Sequence, residues 1–129
     1  MGKLMKNLGE VVNVGQKLSL FNELWSPKII AEFNDNHVKV AKILGEFVWH
    51  KHEDDDELFF VISGELCIEL RDKTLSLSPG ELAIIPKGVE HRPVAKSEVS
   101  IMMIETKGTL NTGDATDTQA IKSTTGSWI

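Results

Sequence analysis

The sequence predicts an all-β fold, an antiparallel sandwich or barrel, preceded by one short helix. Short apolar segments recur along the 129 residues, and Gly, Pro, Asn, Asp or Ser separates them. Several segments alternate apolar and polar residues, as expected of strands with one buried face. Turn signals about every eight to twelve residues are typical of sandwiches and barrels. A chain of this length forms one domain, residues 1–129.

The first predicted element is a helix over residues 18–25, within a helical segment that we place at 16–26. Leu18, Phe21 and Trp25 recur at helical spacing. Pro27 ends the helix, because proline disfavours helical geometry in the residue before it.

The barrel core is predicted over residues 28–106, and it begins with a hairpin. Residues 28–33 and 37–44 are rich in β-branched and apolar residues, and the three residues Asn-Asp-Asn between them favour a turn. Gly45 interrupts the pattern, and alternation over residues 46–52 predicts a further strand.

The remaining predicted strands are short and are separated by strong turn signals. They cover residues 57–62, 65–71, 74–77, 81–85 and 99–105, with Val94 in a further one. Residues 107–129 are rich in Thr, Ser, Gly and Asp and predict an extended tail, with one short strand at 119–122.

The net charge of −5 is a local feature. Five of the 19 acidic residues lie in the run Glu53–Glu57, and without them 14 acidic residues balance 14 basic ones. A balanced surface with one acidic spot argues against nucleic acid or an anionic membrane as a partner. The longest apolar run, Leu58–Ile62, is too short for a transmembrane helix, which takes about 20 residues.

The single cysteine, Cys67, excludes an intrachain disulfide and fits a reducing cytoplasm, where we expect the protein to act. Residues 1–16 show no apolar segment of signal-peptide type. Cys67 lies in an alternating apolar segment, which favours a buried, inert thiol.

Three of the four histidines suggest a metal site. His50 and His52 are two residues apart, so a strand would present both rings on one face. Glu57 begins the next predicted strand, and His91 follows a Pro-Lys-Gly turn. Three imidazoles and one carboxylate suit a divalent transition metal such as Fe, Mn, Co, Ni, Cu or Zn. A His-x-His pair alone is also compatible with an ordinary polar strand face. His37 lies apart, at a hairpin end.

Two spaced motifs resemble those of the cupin family. The first is Gly45-x4-His50-x-His52-x4-Glu57-x6-Gly64, and the second is Gly80-x5-Pro86-x-Gly88-x2-His91, with 15 residues between them. Two positions depart from the usual pattern. Gly45 is one residue nearer the histidines, and Ala95 stands where the second motif often carries Asn.

The resemblance implies a double-stranded β-helix, the cupin jelly-roll barrel. It also implies that His50, His52, Glu57 and His91 bind one divalent transition metal ion. Because small cupins are frequently dimers, it further implies a homodimer. The alternation over residues 46–52 points Phe47 and Trp49 outward, where a partner subunit or the N-terminal segment would cover them.

The same alternation points Glu46 into the barrel, as a possible acid or base beside the metal. It predicts a mostly apolar cavity lined by Phe59, Val61, Ile84, Met102 and Ile104. Lys51, Lys87 and Arg92 are candidate anchors for an anionic ligand at the rim, although each is also compatible with an ordinary exposed charge.

Two functions are compatible with these features. One is a metal-dependent enzyme, of dioxygenase or isomerase type, acting on a small organic molecule. The alternative is a non-catalytic module that binds or senses a small molecule. The motifs do not identify a substrate, because one scaffold supports unrelated chemistries.

Overall fold

Strand pairing in the computed structural model, which describes residues 8–118 and 121–129, confirms the all-β prediction. One helix precedes the strands. The elements are α1 (Val14–Leu18), β1 (Lys28–Phe33), β2 (Asn36–Glu46), β3 (Glu57–Ser63), β4 (Leu66–Leu70), β5 (Thr74–Leu77), β6 (Leu82–Ile85), β7 (His91–Thr106) and β8 (Ser127–Trp128).

The long strand β7 closes the sheet around the core. Its first half pairs with β4, where His91 lies opposite Leu70, and its second half pairs with β3, where Ile104 lies opposite Leu58. It also runs antiparallel to β2 along most of its length. Because one strand holds β3 at one end and β4 at the other, the sheet folds over and buries side chains such as Val61 and Ile68 between its two halves.

The predicted first hairpin is confirmed. β1 and β2 pair antiparallel, with Phe33 opposite Asn36. Asn34 occupies the turn at a φ of +53°, a left-handed conformation that asparagine tolerates better than most residues.

The predicted helix over residues 18–25 is wrong in position. The helix covers Val14–Leu18, because Asn13 caps its N-terminus by accepting a hydrogen bond from the backbone N–H of Gln16. Trp25 has a φ of +58°, which no right-handed helix contains. Leu18 and Phe21 are nevertheless buried, against the outer face of β1 and β2. Their spacing therefore reflects contact with the sheet rather than a continuous helix.

The predicted strand over residues 46–52 is also wrong. β2 ends at Glu46, and beyond it only His50 forms a bridge, to His91. Phe47 and Val48 are consecutive and both buried, which a regular pleat with one exposed face does not allow. The break in the pleat changes which side chains enter the barrel.

The C-terminal segment packs back on the barrel. β8 pairs in parallel with β1, with Trp128 opposite Ile29. The strand predicted at 119–122 falls partly on residues 119–120, which lie outside the described residues, and Ile121 and Lys122 are not in a strand. In the described part of the chain no helix is long and apolar enough to cross a membrane.

Candidate metal centre

The barrel brings together the four side chains that the sequence singled out. One potential ligand atom from each of His50, His52, Glu57 and His91 lies within 4.8 Å of the others. His50, Glu57 and His91 are buried, and the side chain of His52 is 8% exposed. His37 lies elsewhere, with its ring edge against Trp128. The structure therefore forms one cluster from residues in three separate parts of the chain.

His50 and His91 are placed beside each other by backbone pairing. The N–H of His50 donates to the carbonyl of His91 at 3.1 Å, and the N–H of His91 donates back at 2.8 Å. Their ring centroids are 4.3 Å apart. This single bridge substitutes for the strand that the sequence predicted, and it fixes the two rings relative to each other.

The other two members reach the cluster from neighbouring segments. The backbone carbonyl of His52 accepts a hydrogen bond from the N–H of Gly88 at 2.8 Å, which ties it to the turn before His91. Glu57 begins β3 and extends its carboxylate from the opposite half of the sheet. Its Oε1 lies 3.3 Å from Nε2 of His52 and 3.1 Å from Nε2 of His91.

Backbone carbonyls orient two of the rings. Nδ1 of His50 lies 2.9 Å from the carbonyl oxygen of Val48, and Nδ1 of His91 lies 3.0 Å from that of Val89. A carbonyl oxygen only accepts hydrogen bonds, so each Nδ1 carries the proton. In a neutral ring this leaves the lone pair on Nε2, and such a carbonyl partner is common behind metal-binding histidines.

The donor set fits a divalent transition metal. Nε2 of His52 is buried and makes no hydrogen bond, although Glu57 is near. A buried polar atom without a partner is costly, and a metal ion would satisfy it. Three imidazole nitrogens and one carboxylate are the ligands that borderline divalent ions prefer.

The charges in the cluster are strongly coupled. Burial lowers the pKa of His50 to about 4, assisted by the charge of His91. Burial by itself raises the pKa of Glu57, but the interactions with His52 and His91 outweigh it and hold this pKa well below its ordinary value. Burial likewise lowers the pKa of His52, but the Glu57 carboxylate outweighs it and raises this pKa. A metal ion would take the place of the protons that the carboxylate otherwise attracts.

A small apolar chamber adjoins His50 and Glu57. Phe59 lines it as predicted, whereas Val61 lies deeper in the core. The predicted Ile84, Met102 and Ile104 are wrong, because the register turns Met103 and Ile101 inward. Ile84 is 54% exposed on the outside. The other residues that line the chamber are Trp25, Pro27, Ala41, Ile43, Phe47, Pro93 and Asn111.

Residues 46–49 differ most from the prediction. Phe47 lies inside, where its ring stacks on Trp25 with centroids 4.7 Å apart. Glu46 is exposed, with its carboxylate 3.5 Å from Arg92, and so cannot serve beside the metal. Trp49 does lie outside, and the guanidinium of Arg71 is 3.8 Å from its ring centroid. The interior therefore gains an aromatic wall and loses the expected carboxylate.

Two of the three predicted rim anchors are already engaged. Lys51 pairs with Glu53 at 2.9 Å, and Arg92 pairs with Glu69 at 2.6 Å. Lys87 is exposed, and its backbone N–H donates to Asp56. None of these contacts leaves a buried cation at the rim, so the residues give no support for an anion site there.

The C-terminal segment covers part of the cluster, which the sequence did not predict. A Cβ at Gly113 would lie 2.9 Å from Cδ2 of His50 and would overlap the carbonyl oxygen of Lys51. Asp114 accepts a hydrogen bond from the N–H of Lys51 at 2.8 Å. A groove between this segment and the acidic run reaches His52. A glycine in a Leu-Asn-Thr-Gly stretch gives no signal in one sequence that it touches a ligand histidine.

Comparison with known proteins identifies the same fold. The family model described as "Cupin domain" matches residues 37–106, which include all four clustered residues. The chain is 42% identical over 90 residues to the uncharacterized protein YdbB of Bacillus subtilis (strain 168), covering 68% of this chain and 74% of that protein.

Solved structures of two relatives have the same fold as this chain. A cupin-2 domain containing protein from Shewanella frigidimarina is 54% identical and superposes with a TM-score of 0.74, covering 74% of this chain and 94% of that one. The protein NMB1881 from Neisseria meningitidis is 31% identical, with a TM-score of 0.69 and coverage of 75% and 99%. These relatives confirm the predicted jelly-roll barrel.

Proposed function

Because the chain belongs to the cupin family, with a cluster of three histidines and one glutamate in its barrel, we propose that it binds one divalent transition metal ion and acts there on a small organic molecule. The observation that carries this proposal is the convergence of four donors beside an apolar chamber, with Nε2 of His52 buried and making no hydrogen bond. His50, His52, Glu57 and His91 are the ligands.

A bound ion would supply Lewis-acid or redox chemistry. The chain contributes position and exclusion of water. Val48 and Val89 hold the rings of His50 and His91 through their carbonyl oxygens. The aromatic walls of the chamber shield a reacting group from water and strengthen its electrostatic interactions. If the ion were six-coordinate, the four protein ligands would leave two positions for the small molecule or water.

Both dioxygenase and isomerase chemistry fit this arrangement, and the experiment distinguishes them. The protein is purified without chelators and its metal is identified by mass spectrometry. Iron together with dioxygen consumption on adding candidate organic acids supports dioxygenase chemistry. Exchange of substrate protons in D₂O under nitrogen supports isomerase chemistry. Metal-stripped protein is the control for both.

Non-catalytic binding is the second candidate, favoured by the exposure of Glu46, which removes the acid or base expected beside the metal. A ligand that binds tightly and is recovered unchanged supports this alternative. Failure of the protein to retain any divalent metal would contradict both candidates.

We expect the protein to act in the cytoplasm as a homodimer, and sedimentation analysis tests the dimer. The inward position of Phe47 removes the exposed aromatic pair from that argument.

A further inference from the structure

Two charged side chains in the barrel interior do not belong to the metal cluster. Lys39 is 1% exposed and Glu105 is 3% exposed. Nζ of Lys39 lies 3.7 Å from Oε2 of Glu105, and this oxygen makes no hydrogen bond. Lys39 also donates a long hydrogen bond, 3.4 Å, to the carbonyl of Thr109. A buried ion pair held this loosely is not explained by stability, because desolvation offsets most of its attraction.

Strand register places this pair beside the cluster. Lys39 lies opposite Met103, which lines the chamber, so it points to the same side of the sheet. Pairing of Leu58 with Ile104 brings Glu57 and Glu105 to adjacent positions. The two carboxylates influence each other: burial raises the pKa of Glu105, and the charge of Glu57 raises it further. The three charges therefore share one interior.

A bound divalent metal would make the sum of these charges positive. Glu57, Glu105 and Lys39 together carry −1 when all are ionised. Burial and the charge of Lys39 lower the pKa of His37, which is therefore neutral at pH 7. A divalent ion brings the interior to +1, and a proton kept on Glu105 brings it to +2. In both cases an excess positive charge lies in a poorly solvated space, where it requires compensation.

The chamber beside the cluster has little polar side-chain surface. Asn111 is its one amide, and the indole N–H of Trp25 already donates to the carbonyl of Leu44. Phe47 and Phe59 supply apolar walls. A ligand that fits this space has an apolar body, with its polar atoms directed to the metal centre.

We propose that the metal-loaded barrel selects a small organic monoanion, a carboxylate or enolate with an apolar body, and that Lys39 supplies the buried charge behind this preference. The inference rests on the proposed metal site and adds the chemical class of its ligand. Without Lys39 the interior would carry one positive charge fewer whether or not Glu105 is protonated, and an anion would gain less from net charge.

The acidic run at the mouth does not reverse this preference. Glu53 is exposed and paired with Lys51, and its neighbours Asp54 and Asp56 are also exposed. Water and salt screen exposed charges. The exposed carboxylates at the mouth therefore affect the rate at which an anion enters more than the affinity with which it binds. Binding of the anion should therefore accelerate with rising ionic strength.

The test compares benzoate with benzamide, which differ in charge but hardly in shape. Calorimetry on the Zn²⁺-loaded protein should show benzoate binding at least about tenfold more tightly than benzamide. Removal of the metal should abolish this preference. Equal affinities for the two probes, or no benzoate binding with Zn²⁺ bound, would overturn the proposal.

Three variants assign the effect to the interior charge. Lys39→Met should reduce benzoate affinity about tenfold and leave benzamide unaffected. Lys42→Met is the matched control and should leave benzoate affinity unchanged. Lys42 lies on the same strand, but its Nζ donates a hydrogen bond to the carbonyl of Phe21 outside the barrel. Lys39→Gln also removes the charge but keeps polar atoms in the side chain, and should lower benzoate affinity in the same way, which serves as the test if Lys39→Met does not fold.

Failure of the metal site is distinguishable from failure of this inference. If the protein binds neither Zn²⁺ nor any other divalent transition metal, the proposed function is wrong. If Zn²⁺ binds stoichiometrically but Lys39→Met binds benzoate as wild type does, only the role of Lys39 and the anion preference are wrong.

Discussion

His50 and His91 exchange both backbone hydrogen bonds and lie with their ring centroids 4.3 Å apart. The bridge joins the segment after β2 to the first residue of β7. It sets two imidazoles at a fixed spacing before any metal arrives. A preorganised ligand pair loses little conformational freedom on binding, which favours affinity.

Removal of one ligand should abolish stoichiometric metal binding. Loss of a residue that only hydrogen-bonds a metal ligand costs about 10–100-fold in metal affinity. His50→Ala removes a ligand itself and is expected to weaken metal affinity by more than that. His37→Ala is the matched control, since His37 lies against Trp128 and outside the cluster. Metal analysis after dialysis checks both variants. Full metal content in His50→Ala would show that the ligand assignment is wrong.

Gly113→Ala should disturb the metal centre through the C-terminal segment. Gly113 has a φ of +54°, and an added Cβ would press on His50 and Lys51. Gly108→Ala is the control, because Gly108 has a φ of +84° and nothing within 4 Å of the added atom. We expect Gly108→Ala to cost only the backbone strain, about 1–2 kcal/mol in urea unfolding. Gly113→Ala should cost more and should also weaken metal affinity.

Phe47→Ala should be strongly destabilising, because the ring is buried and stacked on Trp25. The expected loss in unfolding free energy is about 3–5 kcal/mol. Phe33→Ala, at a residue that is 60% exposed, should change stability by less than about 1 kcal/mol. A small effect of Phe47→Ala in urea unfolding would contradict the inward position of Phe47.

Acid should destabilise the metal-free protein through His50. Its pKa is about 4 in the folded state against an ordinary 6.5, so between these values the unfolded chain binds a proton that the folded chain does not. The stability contributed by neutral His50 is complete above pH 6.5 and is lost as pH falls towards 4. The expected loss is up to about 3 kcal/mol.

Two neighbours modify this dependence. The lowered pKa of Glu57 adds a further loss below its ordinary value of 4.5, whereas the raised pKa of His52 contributes stability that is lost as pH rises. Urea unfolding in EDTA at pH 7, pH 5 and pH 4 measures the sum, and His50→Gln isolates the His50 contribution. An unchanged pH dependence in His50→Gln would contradict this assignment.

The sequence by itself determined the fold class, the first hairpin and the four residues of the cluster. Two signals were sufficient. Alternation identifies strands wherever one face is buried, and the spacing of His50, His52, Glu57 and His91 matches a family pattern. Both signals are local, or depend on spacing alone, and therefore need no coordinates.

Only the tertiary structure decided which side chains enter the barrel. The pleat breaks after Glu46, so the period of two that correctly described β3 failed for Phe47. Gly113 reaches His50 because the chain returns after β7, and Lys39 meets Glu105 because two strands pair in one register. Contacts between residues far apart in sequence depend on how strands pair and where the chain returns, and neither is encoded in local periodicity.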